Sequence, residues 1–135
     1  MNDASTGNKA PGFAKKPEHR VDLAREGARV TVTFAGLTIA DSTDTITVME
    51  TGHGPVHYFP RKDVRMDLMS RTQHHSYCPF KGDCSYWSLA ANGRTAENAV
   101  WSYEHPYDEV MGLKEYVAFY GSRVDAVTVE PARSP

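Results

Sequence analysis

Cysteine is scarce: the 135 residues hold two, Cys78 and Cys84, too few for a scaffold built on disulfides. They stand singly, without the paired C-x2-C arms that usually hold structural zinc. Nowhere does an apolar run reach the roughly 18 residues that a helix needs to cross a bilayer, and Met1 to Arg20 is polar, without the apolar stretch of a signal peptide. A surplus of basic residues is missing too. Fifteen Lys and Arg stand against 17 Asp and Glu, for a formal net charge of −2, which argues against a phosphate backbone or an anionic membrane as the main partner. No G-x-G-x-x-G, Walker, H-E-x-x-H or G-x-S-x-G motif occurs, and nothing repeats at a fixed interval. These absences point to a cytoplasmic protein that needs no membrane, no nucleic-acid polymer, no metal and no cofactor. What is present is 40% apolar content in 15.0 kDa, enough for one real core and hence one domain.

Residues 1–18 mix Asn, Asp, Ala, Ser, Thr, Gly, Lys and Pro around a lone Phe13, and this composition predicts a disordered tail. A single β-rich domain is expected over 19–130, with a short tail at 131–135. From Arg29 the pattern is strict alternation: Val30, Val32 and Phe34 face one way, Arg29, Thr31 and Thr33 the other, as in a half-buried strand. Leu37 to Ala40, Thr45 to Glu50 and Val56 to Phe59 are further β-branched or aromatic runs. They are separated by Asp41-Ser42-Thr43-Asp44 and Gly52-His53-Gly54-Pro55, and together they suggest an antiparallel meander. Pro60 ends a ladder, so Tyr58-Phe59-Pro60-Arg61 reads as a strand end that delivers side chains to a rim. Val64 to Met69 resumes as a strand. Ser70 to Gly82 shows no periodicity and reads as a loop rich in His, Tyr, Cys, Pro and Lys. Tyr107 to Glu115, near residue 110, is the one helical segment, with Val110 and Met111 inward and Gly112 weakening it. Tyr116 to Tyr120 and Val124 to Val129 close the chain as strands.

Asn92-Gly93 is a strong signal for a two-residue hairpin turn, because both positions need positive φ. Pairing Ala91 with Arg94 sets Ser88 opposite Glu97, Tyr86 opposite Ala99 and Cys84 opposite Trp101, so those six share a face, and Tyr103 joins them. Ser85, Trp87 and Leu89 fall on the other face with Val100, Asn98 and Ala96. With bulky groups on both sides, the hairpin belongs at the centre of a sheet covered twice.

Several strings then occur in a fixed order: Ala40-Asp41-Ser42, Glu50-Thr51-Gly52, Tyr58-Phe59-Pro60-Arg61 with Asp63-Val64, Cys78-Pro79-Phe80-Lys81-Gly82, Ala99-Val100-Trp101-Ser102-Tyr103, and Val117-Ala118-Phe119-Tyr120. In these the chain closely resembles the domain-of-unknown-function family numbered 427, also filed under a nucleotidyltransferase-type label, over about His19 to Asp125. The resemblance implies a mainly β fold of twisted antiparallel sheets, tent-like or sandwich-like. In outline it is similar to the sheets of methionine sulfoxide reductase B and of the cereblon ligand-binding domain. It brings no reaction with it. The chain lacks the Gly-Ser pair and the acidic metal-binding pair of an ordinary nucleotidyltransferase. It also has Phe80 where that family usually has Tyr, and Cys84 where Ala is common.

Four aromatics, Tyr58, Tyr86, Trp101 and Tyr103, combine flat apolar faces with polar tips, and converging they would hold a planar ligand; their ordinary alternative is core. Lys81 and the Gly82 N–H, at a tight turn, suit an anionic group, whereas a solvated lysine is the common outcome. Glu50, Arg61 and Asp63 supply an acid and base inventory near the rim, to orient a ligand or simply to form ion pairs. Cys78 is a candidate nucleophile, with His75 and Lys81 each three positions away to lower its thiol pKa, and Lys81 a catalytic partner; a small buried hydrophobe is the plainer reading. A metal set of His74 or His75 with Cys78, Cys84 and His53 or His57 matches no common zinc spacing. The leading expectation is therefore a domain that binds a small planar anionic molecule, a nucleotide or related metabolite, in an aromatic pocket, with enzymatic activity left open. The alternatives are a protein or peptide interaction module and a Cys78 thiol enzyme.

Overall fold

The computed structural model describes residues 7–132, and they form one mainly β domain of three antiparallel sheets. Ten strands follow in order: β1 (Val21–Ala24), β2 (Arg29–Phe34), β3 (Leu37–Ser42), β4 (Ile46–Glu50), β5 (Val56–Tyr58), β6 (Met69–Cys78), β7 (Gly82–Ala91), β8 (Arg94–Ser102), β9 (Val117–Phe119) and β10 (Ala126–Glu130). The sheets have the orders β1-β4-β5, β10-β2-β3 and β6-β7-β8-β9.

The four-stranded sheet is the middle layer, and alternation along its hairpin explains why. Trp87, Leu89 and Val100 point into one core with Val30, Val32 and Phe34 of β2, Ile39, Phe59 and Phe119. Cys84, Tyr86, Tyr103 and Ala118 point into a second core with Ile46 and Val48 of β4, Tyr58, Val110 and Leu113. Both faces of β7 and β8 are thus covered, as their two-sided apolar pattern requires. Phe59 N–H donates to the Val117 carbonyl at 2.7 Å and Val117 N–H returns the bond to Phe59 at 2.9 Å, which ties the end of β5 to β9.

Several expectations are corrected. The meander breaks after β3: β4 leaves that sheet and pairs with β1 and β5, and β1 itself had too short a pattern to be seen. Ser70 to Gly82 is no loop over most of its length. It is strand β6, paired only with β7, and its exposed edge position lets polar residues such as Ser70, Arg71, His75 and Ser76 occupy a ladder that Thr72, Gln73 and His74 interrupt. Val64 to Met69 is mainly a 3-10 turn at Met66–Leu68, with Val64 bridging Ala40. The helix near residue 110 is 3-10, Asp108–Leu113, kinked at Val110; Val110 and Leu113 are buried while Met111 faces solvent.

The segment expected to be a disordered tail is held against the domain from residue 7 on; residues 1–6 and 133–135 lie outside the described range. Gly12 N–H donates to the Pro79 carbonyl at 2.9 Å, and Phe13 meets Phe80 edge-on at 4.9 Å. Glycine permits that approach, since a Cβ at position 12 would lie 2.6 Å from the Phe80 ring.

The hairpin register is also corrected, with consequences for the site. Ala91 faces Arg94 and Leu89 faces Ala96 as expected, but Trp87 faces Val100 and Tyr86 faces Trp101. Between these pairs Glu97, Asn98 and Ala99 stand against Ser88 alone, so β8 advances by two residues. Asn98 takes φ 51° there, and its backbone N–H donates to Ser88 Oγ at 3.1 Å. A slip of two preserves the facing of every later side chain, where a slip of one would reverse it. Tyr86, Trp101 and Tyr103 consequently share a face, now with Tyr86 and Trp101 as direct partners.

Candidate functional site

Three sheet segments and two turns enclose a cavity of about 190 Å³ on the second-core face of the middle sheet. Val48 and Glu50 reach it from β4, two positions apart and so on one side of that strand; Val56 and Tyr58 reach it from β5 by the same rule. Tyr86 and Trp101 come from the central hairpin, Tyr103 from just beyond it, Tyr120 from the end of β9, and Lys81 from the turn between β6 and β7.

The aromatic walls fix one another. Trp101 Nε1 donates to Tyr58 Oη at 3.1 Å, with the two rings perpendicular at 6.1 Å. Trp101 also lies 4.5 Å from Tyr120. Tyr86 Oη and Ser76 Oγ share a hydrogen bond at 2.8 Å. Burial pushes the phenol pKa of Tyr58, Tyr86 and Tyr103 up, so all three keep their protons at neutral pH.

At the polar end, Lys81 Nζ bonds Glu50 Oε1, and Glu50 Oε2 receives His19 Nε2 at 2.9 Å. The lysine side chain is only 8% exposed and the carboxylate 13%, so this is a buried pair and not a solvated one. Burial pushes the Glu50 pKa up, but the hydrogen bonds from Lys81 and His19 outweigh it and the group sits below the ordinary carboxylate value. Lys81 Nζ also lies 5.9 Å from the centre of the Tyr103 ring. The His19 ring stacks on Phe80 at 4.0 Å, so the residue next to Lys81 positions the imidazole.

Of the residues singled out from the sequence, Glu50, Tyr58, Lys81, Tyr86, Trp101 and Tyr103 line this cavity, while Arg61, Asp63, Gly82 and Cys78 do not. Arg61 turns to the opposite face, with Nε on the Glu115 carbonyl at 2.7 Å, Nη2 on Glu104 at 3.2 Å and its guanidinium 5.1 Å from the Trp87 ring. Asp63 accepts from Ser42 Oγ at 2.6 Å. Gly82 has φ 116°, and a Cβ there would stand 3.3 Å from the His105 carbonyl oxygen, so its glycine character serves the turn. Cys78 ends β6 opposite Gly82 and packs at the fringe of the second core. Cys84 is 1% exposed, and burial pushes its thiol up. Among the described residues no group of three or more His, Cys, Asp or Glu gathers in a way that could hold a metal ion, and the His74 ring instead packs at a tilt against Tyr86, 4.5 Å between centres.

Sequence reasoning did not find Val48, His53, Gly54, Val56, Tyr120 or His19. Val48 and Val56 were legible as facing Glu50 and Tyr58 along their own strands. His19 carried no signal, because its partner is 31 positions away.

The chain belongs to the family described as Domain of unknown function (DUF427), whose model, named NTP_transf_9, matches residues 22–130. None of the curated proteins matches the chain. His19 therefore lies outside the matched segment, while Glu50 and Lys81 lie within it. Among the described residues, no helix is long and apolar enough to cross a membrane.

Proposed function

We propose that this domain binds a small planar molecule carrying an acidic group, with its ring between Tyr86, Trp101 and Tyr120 and its charge toward Lys81. The observation that supports this reading is the convergence, in one cavity, of five aromatic side chains and a buried ammonium. Glu50 engages one N–H of Lys81, and the others remain to meet a ligand. The protonated phenols add donors that do not compete for negative charge. Size narrows the class: about 190 Å³ is below the roughly 300–1,000 Å³ of drug-sized pockets, so one ring with its acidic substituent fills it. A nucleotide meets the same geometry by setting its phosphate at Lys81 and its larger remainder toward the mouth.

A thermal-shift series of aromatic carboxylates and nucleoside monophosphates tests the proposal, run on the native chain and on Gly54→Trp. Gly54 lines the cavity and has open space around it for a side chain, so the indole obstructs the site without disturbing the core. Binding raises the melting temperature of the native state. The expected result is a rise in the native chain and none in Gly54→Trp; equal responses, or no response from either class of compound, would refute the reading.

A further inference from the structure

A second cavity, of about 420 Å³, backs onto the first. Its floor is the buried Phe59 and the largely buried Phe119, and its rim includes Val127 on the edge strand β10. Val56, Trp101 and Tyr120 line both cavities and form the partition between them. The chemistry on the two sides differs sharply. Glu50 and Lys81 stand on one side, whereas the second cavity has no Asp, Glu, Lys or Arg among its lining residues. Its one histidine is His57, which shares a hydrogen bond with Thr47 Oγ1 at 3.2 Å and which burial holds toward the neutral form.

An unfilled apolar recess of this size leaves the apolar surface of Val56, Trp101, Tyr120 and Val127 around its mouth in contact with water, an unfavourable arrangement that an apolar group would relieve. The adjoining cavity says what brings that group there, because a substituent on a ring whose acid is held at Lys81 reaches the recess by passing Trp101 and Tyr120, which line both cavities. Tyr120 is suited to being that threshold: it is 38% exposed and follows the last residue of β9. From this arrangement we infer that the ligand is amphipathic, an aromatic acid bearing a hydrocarbon substituent, with its head in the Glu50–Lys81 cavity and its tail in the Phe59–Phe119 cavity. The inference rests on the binding reading above and adds the tail.

Calorimetric titration with benzoate and with 4-alkylbenzoates of one to six carbons separates the two claims. Each methylene that enters an apolar cavity is worth about a fourfold gain in affinity, so affinity should climb steeply along the series in the native chain. In Val127→Glu the gain should vanish while benzoate itself binds as before. Val129→Glu places the same charge on the same exposed strand outside the cavity and should keep the gain; Val127 and Val129 are 38% and 43% exposed, so neither change disturbs a core. Benzoate binding with no dependence on chain length, or a gain that survives in Val127→Glu, would overturn the tail site and leave the head site standing. No binding by any member of the series would remove both.

Discussion

The indole N–H of Trp101 ends on the phenol oxygen of Tyr58, 3.1 Å away, across a right angle between the two rings. This bond joins β8 to β5 and holds the partition between the two cavities upright. Tyr58→Phe removes the acceptor and leaves a half-buried donor without its partner. The expected cost is about 1–3 kcal/mol, read as a lower urea midpoint with an unchanged m-value, together with a shifted tryptophan emission.

Lys81, on sequence grounds alone, would be expected to tolerate alanine with little change in stability. Its burial at 6% and its bond to Glu50 reverse that expectation. Lys81→Ala leaves a buried carboxylate facing His19 alone, and breaking such a pair costs about 3–5 kcal/mol. Adding Glu50→Gln to Lys81→Ala should recover a substantial part of the loss. A double-mutant cycle by urea denaturation measures that coupling, and additive losses would show the two side chains to be independent.

Acid sensitivity should arise largely from Glu104. Arg71 donates to its Oε2 at 2.7 Å and Arg61 at 3.2 Å, and these guanidiniums hold its pKa down at about 2, against an ordinary 4.5. Because the folded pKa lies below the unfolded one, the stabilisation is fully present above pH 4.5 and is lost as pH falls toward 2. Glu104→Gln should be less stable than the native chain at pH 6 and approach it near pH 2. Melting temperatures across that range check the sign. Glu50, whose pKa is also lowered, keeps part of the acid dependence in the variant.

The two thiols should behave differently. Cys84 is 1% exposed, and burial favours its protonated form, whereas Cys78 is partly exposed at the end of β6. Iodoacetamide at pH 7 should add one label to the folded protein, at Cys78, and two in urea, as counted by mass spectrometry. The rate at Cys78 also tests the thiol-enzyme alternative: a rate no faster than that of a free thiol ends it.

Strand periodicity explains how much of this was legible beforehand. Val30, Val32 and Phe34 declared their buried face by alternation, and Asn92-Gly93 declared the central hairpin by the φ that its turn demands. The same alternation placed Tyr86, Trp101 and Tyr103 together, and it survived an error in register because the bulge at Asn98 advances the strand by an even number of residues. The bulge itself was not legible, since the hydrogen-bond partners of Asn98 are Ser88 on β7, which accepts from its backbone N–H, and Thr72 on β6, which donates to its side chain.

The chain's own pattern of side chains thus determined a mainly β domain, its central two-sided hairpin and most of the aromatic walls, because facing in a strand is a local property repeated every second residue. Tertiary structure alone decided that β4 leaves its neighbour β3 for another sheet, that Arg61 turns away from Glu50, and that Lys81 is buried against Glu50 beside His19. Those outcomes depend on which groups meet after distant segments pack, and a buried charge takes whichever opposite charge the packing brings within reach.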